Sequence, residues 1–348
     1  MIQNKEKSSI LLIYTGGTIG MKEDPSIQAL RPFDFSQILA EVPELGKFAY
    51  KIDSYTFAPL IDSSDVDPRN WITLAGIIED RYDEYDGFVI LHGTDTMAYS
   101  ASALSFMIEG LTKPVIFTGS QLPIGVPRTD GKENLISAVE IAASKDEEGH
   151  ATVPEVCICF DNVLMRGNRT TKINSDNFRA FRSENFPPLA EAGINIRYNT
   201  VLIRKPKDWN TRPIFHKVLD TRVSILKIHP GITPQVARSI LCGEESRAVI
   251  LETYGAGNAP SREWFLDIVR DAAAAGKILM NITQCLAGSV NMDIYATGKC
   301  LKDAGVINGH DSTTESALGK LFHLMGVHAD NDIVKKRLDD DLMGEISK

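Results

Sequence analysis

The sequence predicts an α/β protein of two domains. We expect a larger N-terminal domain with a parallel or mixed sheet and flanking helices, and a smaller C-terminal domain with a parallel sheet. A chain of 348 residues exceeds the size at which a single core keeps growing. Short apolar runs alternate with helical stretches, which is typical of a parallel sheet covered on both faces. Periodicity is poor over residues 198–220, so the predicted domains are 1–197 and 221–348 with a linker between them.

Three buried strands of the first domain each run into a small polar loop. The predicted strands and their loops are Ile10–Tyr14 into Thr15–Thr18, Phe88–Leu91 into His92–Asp95, and Val115–Phe117 into Thr118–Gln121. Helices lie between them: Asp67 and Pro68 have the residue types of an N-cap and a first helical position, and another helix is predicted over Thr96–Glu109. Parallel strands deliver their carboxyl ends to one edge of the sheet, so the three loops should converge.

The second domain repeats the pattern. Its predicted strands are Ser224–Ile228, Ala248–Leu251 and Ile278–Ile282. Thr233 is expected to cap a helix that Gly243 ends, and Ser261 to cap a helix that closes near Gly276.

Composition and charge narrow the class of partner. Hydrophobic residues make up 43% of the chain and charged residues 24%, which is ordinary globular composition. The formal net charge is −9 and the basic residues are scattered, whereas neutralising phosphates takes clustered Lys and Arg. We therefore expect no nucleic-acid partner.

The sequence favours a cytoplasmic protein without membrane contact. The apolar run Ile10–Tyr14 is too short for a signal peptide, and no stretch approaches the ~20 apolar residues of a membrane span. Five cysteines, an odd number at irregular spacing, fit a reducing compartment. Cys157 and Cys159 alternate with apolar residues, which predicts one face of a strand rather than a metal site. No metal or other cofactor is expected.

Amide hydrolysis requires a nucleophile, a group that takes and returns its proton, and donors for the oxyanion. Thr15, Thr94, Asp95 and Lys172 have the side chains for the first two roles. Thr15 ends a strand and precedes two glycines, so its loop can approach a ligand closely.

Each of these features also has a structural interpretation. The segment Thr15–Gly20 follows a strand as a phosphate-binding loop would, but it has neither Gly-x-Gly-x-x-Gly nor Gly-Lys-Ser/Thr. Asp95 has the residue type of a helix N-cap, His92 of a packed scaffold histidine, and Lys172 of a solvated surface lysine.

Taken together, the segments Tyr14–Gly20 and Leu91–Met97 resemble the two motifs of the asparaginase/glutaminase family. They read YTGGTIG and LHGTDTM in this chain. The resemblance covers almost the whole chain, is closest to the cytoplasmic type I branch, and extends through Asp62–Asp65, Phe117–Pro123, Thr253–Pro260 and Tyr295–Gly298.

The resemblance implies hydrolysis of L-asparagine to L-aspartate and ammonia through a β-aspartyl ester. It implies that Thr15 is the nucleophile, beside a hydrogen-bonded group of Thr94, Asp95 and Lys172. The residues that would bind the amino-acid part of asparagine or aspartate are Asp62, Ser63, Ser64, Thr94 and Asp95. It also implies a homodimer, often paired into a homotetramer. Whether Lys172 acts on Thr15 or on Thr94 stays open.

Two alternatives remain beside an enzyme specific for asparagine. An enzyme that also accepts glutamine differs by tolerance of one methylene, which is worth only ~1–3 kcal/mol. A non-catalytic amino-acid sensor would keep the fold and the pocket. The family's lid tyrosine is missing between Met21 and Phe33, where Leu30 stands near the expected place, so lid function is in question.

Asparagine should show simple saturation kinetics with this protein. Some type I enzymes are activated by asparagine at a second site, and the resemblance places Thr171, Glu252 and Cys285 at its positions. Glu252 replaces an arginine there, and a carboxylate cannot pair with the carboxylate of a ligand, so we predict a weak or absent response. Initial rates against asparagine concentration, for the natural chain and Thr171→Ala, measure it. A sigmoidal curve that becomes hyperbolic in the variant would contradict the prediction.

Overall fold

The computed structural model describes residues 7–24, 29–32 and 40–348, with backbone alone for 22–24 and 29–32. It is an α/β structure with one large mixed sheet and one smaller parallel sheet, so the predicted fold class is confirmed.

Contacts within the chain define two units. The first contains the described residues up to Ser183 together with Pro187–Lys217, and the second contains Glu184–Phe186 with Val218–Lys348. The sequence instead predicts a separate linker over 198–220. Most of that segment belongs to the first unit, and a short piece of chain from far upstream belongs to the second.

Strands of the first unit are, in chain order, β1 (Ser9–Tyr14), β2 (Met21–Asp24), β3 (Ala29–Pro32), β4 (Lys51–Thr56), β5 (Gly87–Leu91), β6 (Ile108–Glu109), β7 (Val115–Thr118), β8 (Val156–Phe160), β9 (Val163–Arg166), β10 (Thr171–Lys172), β11 (Phe181–Arg182), β12 (Ala190–Ala192), β13 (Ile196–Tyr198) and β14 (Ile214–Phe215). Eight of them form one sheet in the order β13-β12-β9-β8-β7-β5-β1-β4. Strands β4, β1, β5, β7 and β8 are mutually parallel, whereas β9, β12 and β13 add antiparallel strands at one side. The short strands pair as β2 with β3, β6 with β14 and β10 with β11.

The register of the central strands sets the level of the loops that follow them. Tyr14 at the end of β1 lies opposite Leu91 at the end of β5. Because the paired residues are the last of their strands, the loops beginning at Thr15 and His92 leave the sheet side by side.

Among the helices whose full range is described, three lie between parallel strands of the first unit: α1 (Pro68–Asp80), α2 (Met97–Met107) and α3 (Gly131–Ala143). The predicted cap of α1 is confirmed, because the Asp67 carboxylate accepts from Arg69 N and the Asn70 side chain accepts from Asp67 N. Helix α2 begins after Thr96, so the N-cap interpretation of Asp95 is wrong. The carboxylate of Asp95 has a distant partner instead.

The second unit is a four-stranded parallel sheet in the order β15-β16-β17-β18, where the strands are β15 (Val223–Lys227), β16 (Ala248–Thr253), β17 (Ile278–Thr283) and β18 (Ile307–Asn308). Its helices are α4 (Pro234–Leu241), α5 (Glu263–Ala274), α6 (Ala296–Asp303), α7 (Thr314–Val327) and α8 (Asn331–Asp339). Along β16, Val249 and Leu251 pack in one core cluster and Ala248 and Ile250 in another, because alternate side chains point to opposite faces of a sheet.

Helix caps in this unit were predicted with mixed success. Thr233 caps α4 through its hydroxyl, which accepts from Val236 N, as expected. Ser261 does not cap α5. Helix α5 begins at Glu263, so its N-cap residue is Arg262. The side chain of Arg262 carries no acceptor, and the helix has no side-chain cap.

The predicted lid region falls partly outside the described residues. Strands β2 and β3 pair antiparallel, with Leu30 opposite Glu23. The side chain of Leu30 and all of residues 25–28 lie outside the description. Within the described ranges, no helix is both long and apolar enough to cross a membrane.

A buried ion pair joins α7 to the segment that follows α8. Lys320 and Glu345 are both fully buried, and Lys320 Nζ lies 2.6 Å from Glu345 Oε1 and donates to Leu338 O at 2.8 Å. Burial lowers the pKa of Lys320, and the carboxylate opposes that shift. Glu345 in turn accepts from Met343 N at 2.7 Å.

Replacing Glu345 by Gln should lower the free energy of unfolding by about 3 kcal/mol, because removing one partner leaves a buried charge uncompensated. Urea unfolding of the full chain measures this. The matched control is Asp293→Asn, which removes an ion pair with Lys302 whose side chains are 67% and 52% exposed and should cost less than about 1 kcal/mol. Equal losses in both variants would refute the prediction.

Candidate active site

The three polar loops meet where the strand order reverses. From β1 the chain forms β4 on one side of β1 and then β5 on the other. In open α/β sheets the crevice at such a reversal, at the carboxyl ends of the strands, is where ligands bind. Thr15 and His92 begin the two loops at this position.

Glycine permits the close approach of these loops. A Cβ atom on Gly17 would lie 2.5 Å from Gly93 Cα, and a Cβ on Gly93 would lie 2.4 Å from Ser63 Oγ. Side chains at either glycine would therefore force the loops apart. The backbone ties them further, since Thr15 N donates to Leu91 O at 3.0 Å and Ile61 N donates to Thr15 O at 2.8 Å.

Three of the predicted catalytic residues form one hydrogen-bonded group. Lys172 Nζ, in β10, donates to Thr94 Oγ1 at 2.8 Å and to Asp95 Oδ1 at 2.7 Å. Thr94 Oγ1 donates onward to Gln121 Oε1 at 3.2 Å. The Lys172 side chain is 18% exposed and that of Asp95 is 62% exposed, so the carboxylate also faces solvent. The solvated-surface interpretation of Lys172 is therefore wrong.

Thr15 stands apart from that group. It is buried, and its hydroxyl donates to the carbonyl of Leu91 at 2.9 Å. Since a carbonyl oxygen only accepts, the hydroxyl proton points toward the sheet. Among the described residues, no hydrogen bond joins Thr15 to Thr94 or Lys172. A rotation of the Thr15 side chain would be needed to direct its proton elsewhere.

The segment Asp62–Ser64 borders the candidate site beside the Thr15 loop and the group of Thr94, Asp95 and Lys172. Asp62 Oδ1 accepts from both the backbone N–H and the hydroxyl of Ser64, each at 2.9 Å, and these hydrogen bonds lower the pKa of Asp62. Ser63 is buried, and its carbonyl accepts from Thr96 Oγ1 at 2.6 Å. Asp62 thus shapes the short helical turn Ser63–Asp65.

Gln121 contacts the site although sequence reasoning assigned it no role. Its backbone N–H donates to Asp130 Oδ2 at 3.0 Å, and its side chain accepts from Thr94. Burial raises the pKa of Asp130. The available signal was the position of Gln121 in the polar loop after β7.

His92 is a buried scaffold histidine. Its Nδ1 lies 2.7 Å from Gly93 O and its Nε2 lies 3.0 Å from Ser100 Oγ. Burial lowers the pKa of His92 from 6.5 to about 4, so the ring is neutral at pH 7. Trp71 Nε1 also donates to Ser100 Oγ, at 2.8 Å. Neither Trp71 nor Ser100 was anticipated, because nothing in their local sequence points to the site.

Residues proposed for a second asparagine site lie in both units, Thr171 in the first and Glu252 and Cys285 in the second. The buried carboxylate of Glu252 has two partners of its own: Lys227 Nζ lies 3.1 Å from one oxygen, and Thr314 Oγ1 donates to the other at 2.7 Å. Cys285 is exposed. The weak response stays a prediction.

Acidification should destabilise the protein through His92. The unfolded chain binds a proton near pH 6.5 and the folded chain only near pH 4, so the unfolding free energy falls as pH drops through this window. The loss between pH 7 and pH 5 should be about 2 kcal/mol. Urea unfolding at both values, with His92→Gln and His229→Gln compared, isolates it. Only the former should reduce the pH dependence, and an unchanged dependence in His92→Gln would count against the assignment.

Known proteins similar to this one match it over nearly its full length. The family profile for the N-terminal asparaginase domain matches residues 9–204, and that for the glutaminase/asparaginase C-terminal domain matches residues 222–338. L-asparaginase 1 of Escherichia coli K12 is 44% identical, over 98% of this chain and 99% of the relative. L-asparaginase of Thermococcus kodakarensis is 35% identical, over 97% and 99%. The crystal structure of L-asparaginase I from Vibrio cholerae superposes with a TM-score of 0.89 at 41% identity, over 98% of this chain and 100% of that one. With both halves matched in order, this chain is a member of the asparaginase family.

Proposed function

We propose that the protein hydrolyses the side-chain amide of L-asparagine to give L-aspartate and ammonia, with Thr15 as the nucleophile. The observation that carries the proposal is the Lys172, Thr94 and Asp95 group, held beside the Thr15 loop by the contact of Gly17 with Gly93. The relatives named as L-asparaginases, matched over nearly their full length, support the choice of substrate.

Substrate binding follows from the chemistry of an amino-acid zwitterion. Its ammonium group requires an anionic acceptor. Asp95 gives one carboxylate oxygen to Lys172, and its second oxygen is available to the ligand on an exposed side chain. Its α-carboxylate requires donors. Ser63 provides a hydroxyl and a backbone N–H, and the Ser64 hydroxyl becomes a donor to the ligand when it turns away from Asp62. Asp62 fixes Ser64 through two hydrogen bonds, so its role is to shape this part of the pocket.

The first half-reaction is attack of Thr15 Oγ on the amide carbon. The Thr15 hydroxyl must turn away from Leu91 O for this step. The C–N bond then breaks, the hydroxyl proton leaves with the nitrogen as ammonia, and a β-aspartyl ester remains on Thr15. Backbone N–H groups of the loops, together with Thr94, stabilise the oxyanion.

Lys172 acts on Thr94 in this proposal. Its ammonium nitrogen lies 2.8 Å from Thr94 Oγ1, whereas the Thr15 hydroxyl is bonded elsewhere. A cation at that distance stabilises negative charge that develops on the Thr94 oxygen as its proton moves. The second half-reaction then uses Thr94 to activate the water that hydrolyses the ester.

Cellular location and assembly are proposed from the sequence alone. Cytoplasmic location rests on the number and spacing of the cysteines. Assembly as a homodimer or a pair of dimers rests on the family resemblance.

Ammonia release from L-asparagine and from L-glutamine tests the function. We expect turnover of asparagine that falls at least ~10³-fold in Thr15→Ala and largely survives in Thr15→Ser, which keeps the hydroxyl. Lys172→Met should lower kcat ~10²-fold or more, because it removes charge stabilisation at Thr94.

Three outcomes change the conclusion in defined ways. Comparable rates on glutamine would make this a dual-specificity enzyme. Full activity in Thr15→Ala would remove Thr15 as nucleophile. Aspartate binding without ammonia release from either amide would establish a sensor rather than an enzyme.

A further inference from the structure

A hydrogen-bonded chain runs from two buried helices into the loop that carries Thr94. Trp71 Nε1, on α1, lies 2.8 Å from Ser100 Oγ on α2, and that oxygen lies 3.0 Å from His92 Nε2. The other ring nitrogen of His92 lies 2.7 Å from Gly93 O. Ser100 is fully buried, and Trp71 and His92 are 6% and 4% exposed.

Every proton in this chain has one consistent position. An indole nitrogen only donates, so Trp71 donates to Ser100, and a carbonyl only accepts, so Nδ1 of His92 carries a hydrogen. A second hydrogen on Nε2 would make the ring a buried cation with no carboxylate among the partners of either nitrogen. Nε2 is therefore the acceptor, and the Ser100 hydroxyl donates to it. All the bonds point from the helices toward Gly93, an order in which each bond polarises the next.

The carbonyl at the end of the chain belongs to a peptide unit of the active site. A trans peptide is planar, and its C=O and N–H bonds point in opposite directions. Holding the Gly93 carbonyl on the His92 side therefore aims the N–H of Thr94 away from His92. Within the described residues, no hydrogen-bond acceptor is found for that N–H. It is thus a donor with a fixed direction, next to the Thr94 hydroxyl.

We propose that Trp71 and Ser100 are positioning residues of the active site, which act through His92 to orient the Gly93–Thr94 peptide for stabilisation of the oxyanion. The inference rests on the proposed hydrolysis, because it assigns the Thr94 N–H to the oxyanion of that reaction. Neither side chain touches the substrate. Their effect lies in the direction and strength of one backbone donor.

Ser100 is the better position for the test. Trp71 also lines, with Leu74 and Thr15, a cavity of about 10 Å³, so its replacement alters packing behind the nucleophile as well as the hydrogen bond. Ser100→Ala removes only a hydroxyl. Ser100→Cys keeps a side chain of similar size with a weak S–H donor.

With asparagine as substrate, kcat should be highest for the unmutated protein, lower for Ser100→Cys and lowest for Ser100→Ala. We expect about a tenfold loss in Ser100→Ala, less than the ~10²–10³ of deleting an oxyanion donor outright, and KM within about twofold. Trp71→Phe should lower kcat in the same direction. Ser105→Ala is the matched control: it is the same substitution in the same buried helix, and the Ser105 hydroxyl donates to Ala101 O, outside the chain. Its kcat should stay unchanged.

Nitrogen NMR of ¹⁵N-histidine-labelled protein measures the hydrogen bonds of the His92 ring independently of activity. The His92 resonances are assigned as those that disappear in His92→Gln. We expect one neutral tautomer with the proton on Nδ1. In Ser100→Ala the Nε2 resonance should move to that of a ring nitrogen without a hydrogen bond.

Outcomes separate this inference from the proposed function. Absence of ammonia release by the unmutated protein would refute the proposed function. The His92 tautomer would still show whether the hydrogen bonds from Trp71 to Gly93 are formed. Full kcat in Ser100→Ala despite the shifted Nε2 resonance would refute the positioning role. So would an equal loss of kcat in Ser105→Ala, because the effect would then be general loosening of α2.

Discussion

Beyond the ends of β1 and β5, the backbone of Gly93 packs against Gly17 and the Ser63 hydroxyl more closely than a side chain on Gly93 would allow. The remaining site depends on this contact. It places the loop of Thr15 beside the loop of Thr94, and Thr15 adds two hydrogen bonds to Leu91 O, one from its backbone N–H and one from its hydroxyl. The contact depends in turn on the sheet, since the paired ends of β1 and β5 bring both loops out at one level. Parallel pairing of β1 with β5 thus brings the two glycines into contact at the candidate active site.

Buried hydroxyl groups in the helix next to the site are fixed in place by their hydrogen bonds. Helix α2 is buried along nearly its whole length, yet it carries Ser100, Ser102 and Ser105. A hydroxyl in such a place must find a partner or destabilise the fold. Ser105 and Ser102 donate to carbonyls, whereas Ser100 donates toward the active site through His92. One requirement of folding therefore also sets the direction of a backbone donor.

Sequence reasoning succeeded where the signal was local. Strand ends followed by polar loops predicted the converging edge, and the residue types at Asp67 and Thr233 predicted two helix starts that the structure confirms. It failed at the start of α5, where Ser261 was expected to be the N-cap and the structure has Arg262 in that position. A shift of one residue in the helix start changes which residue is the cap. Asp95 has the residue type of a cap, and its partner Lys172 lies 77 positions away. The link from Trp71 to Ser100 spans 29 positions and exists only because α1 packs against α2. Such pairings follow from tertiary packing, which no window of sequence contains.

The pairing of Lys320 with Glu345 has a consequence for the order of events during synthesis. Helix α7 leaves the ribosome with a lysine destined for the interior, while the carboxylate that neutralises it lies 25 positions later, from 320 to 345. Until that carboxylate arrives, burying Lys320 would leave a charge in the core without compensation. Glu184–Phe186, which belong to the same unit, emerge long before either residue. We therefore expect α7 to be buried in the second unit only after Glu345 has been synthesised, when the first unit already has its whole chain.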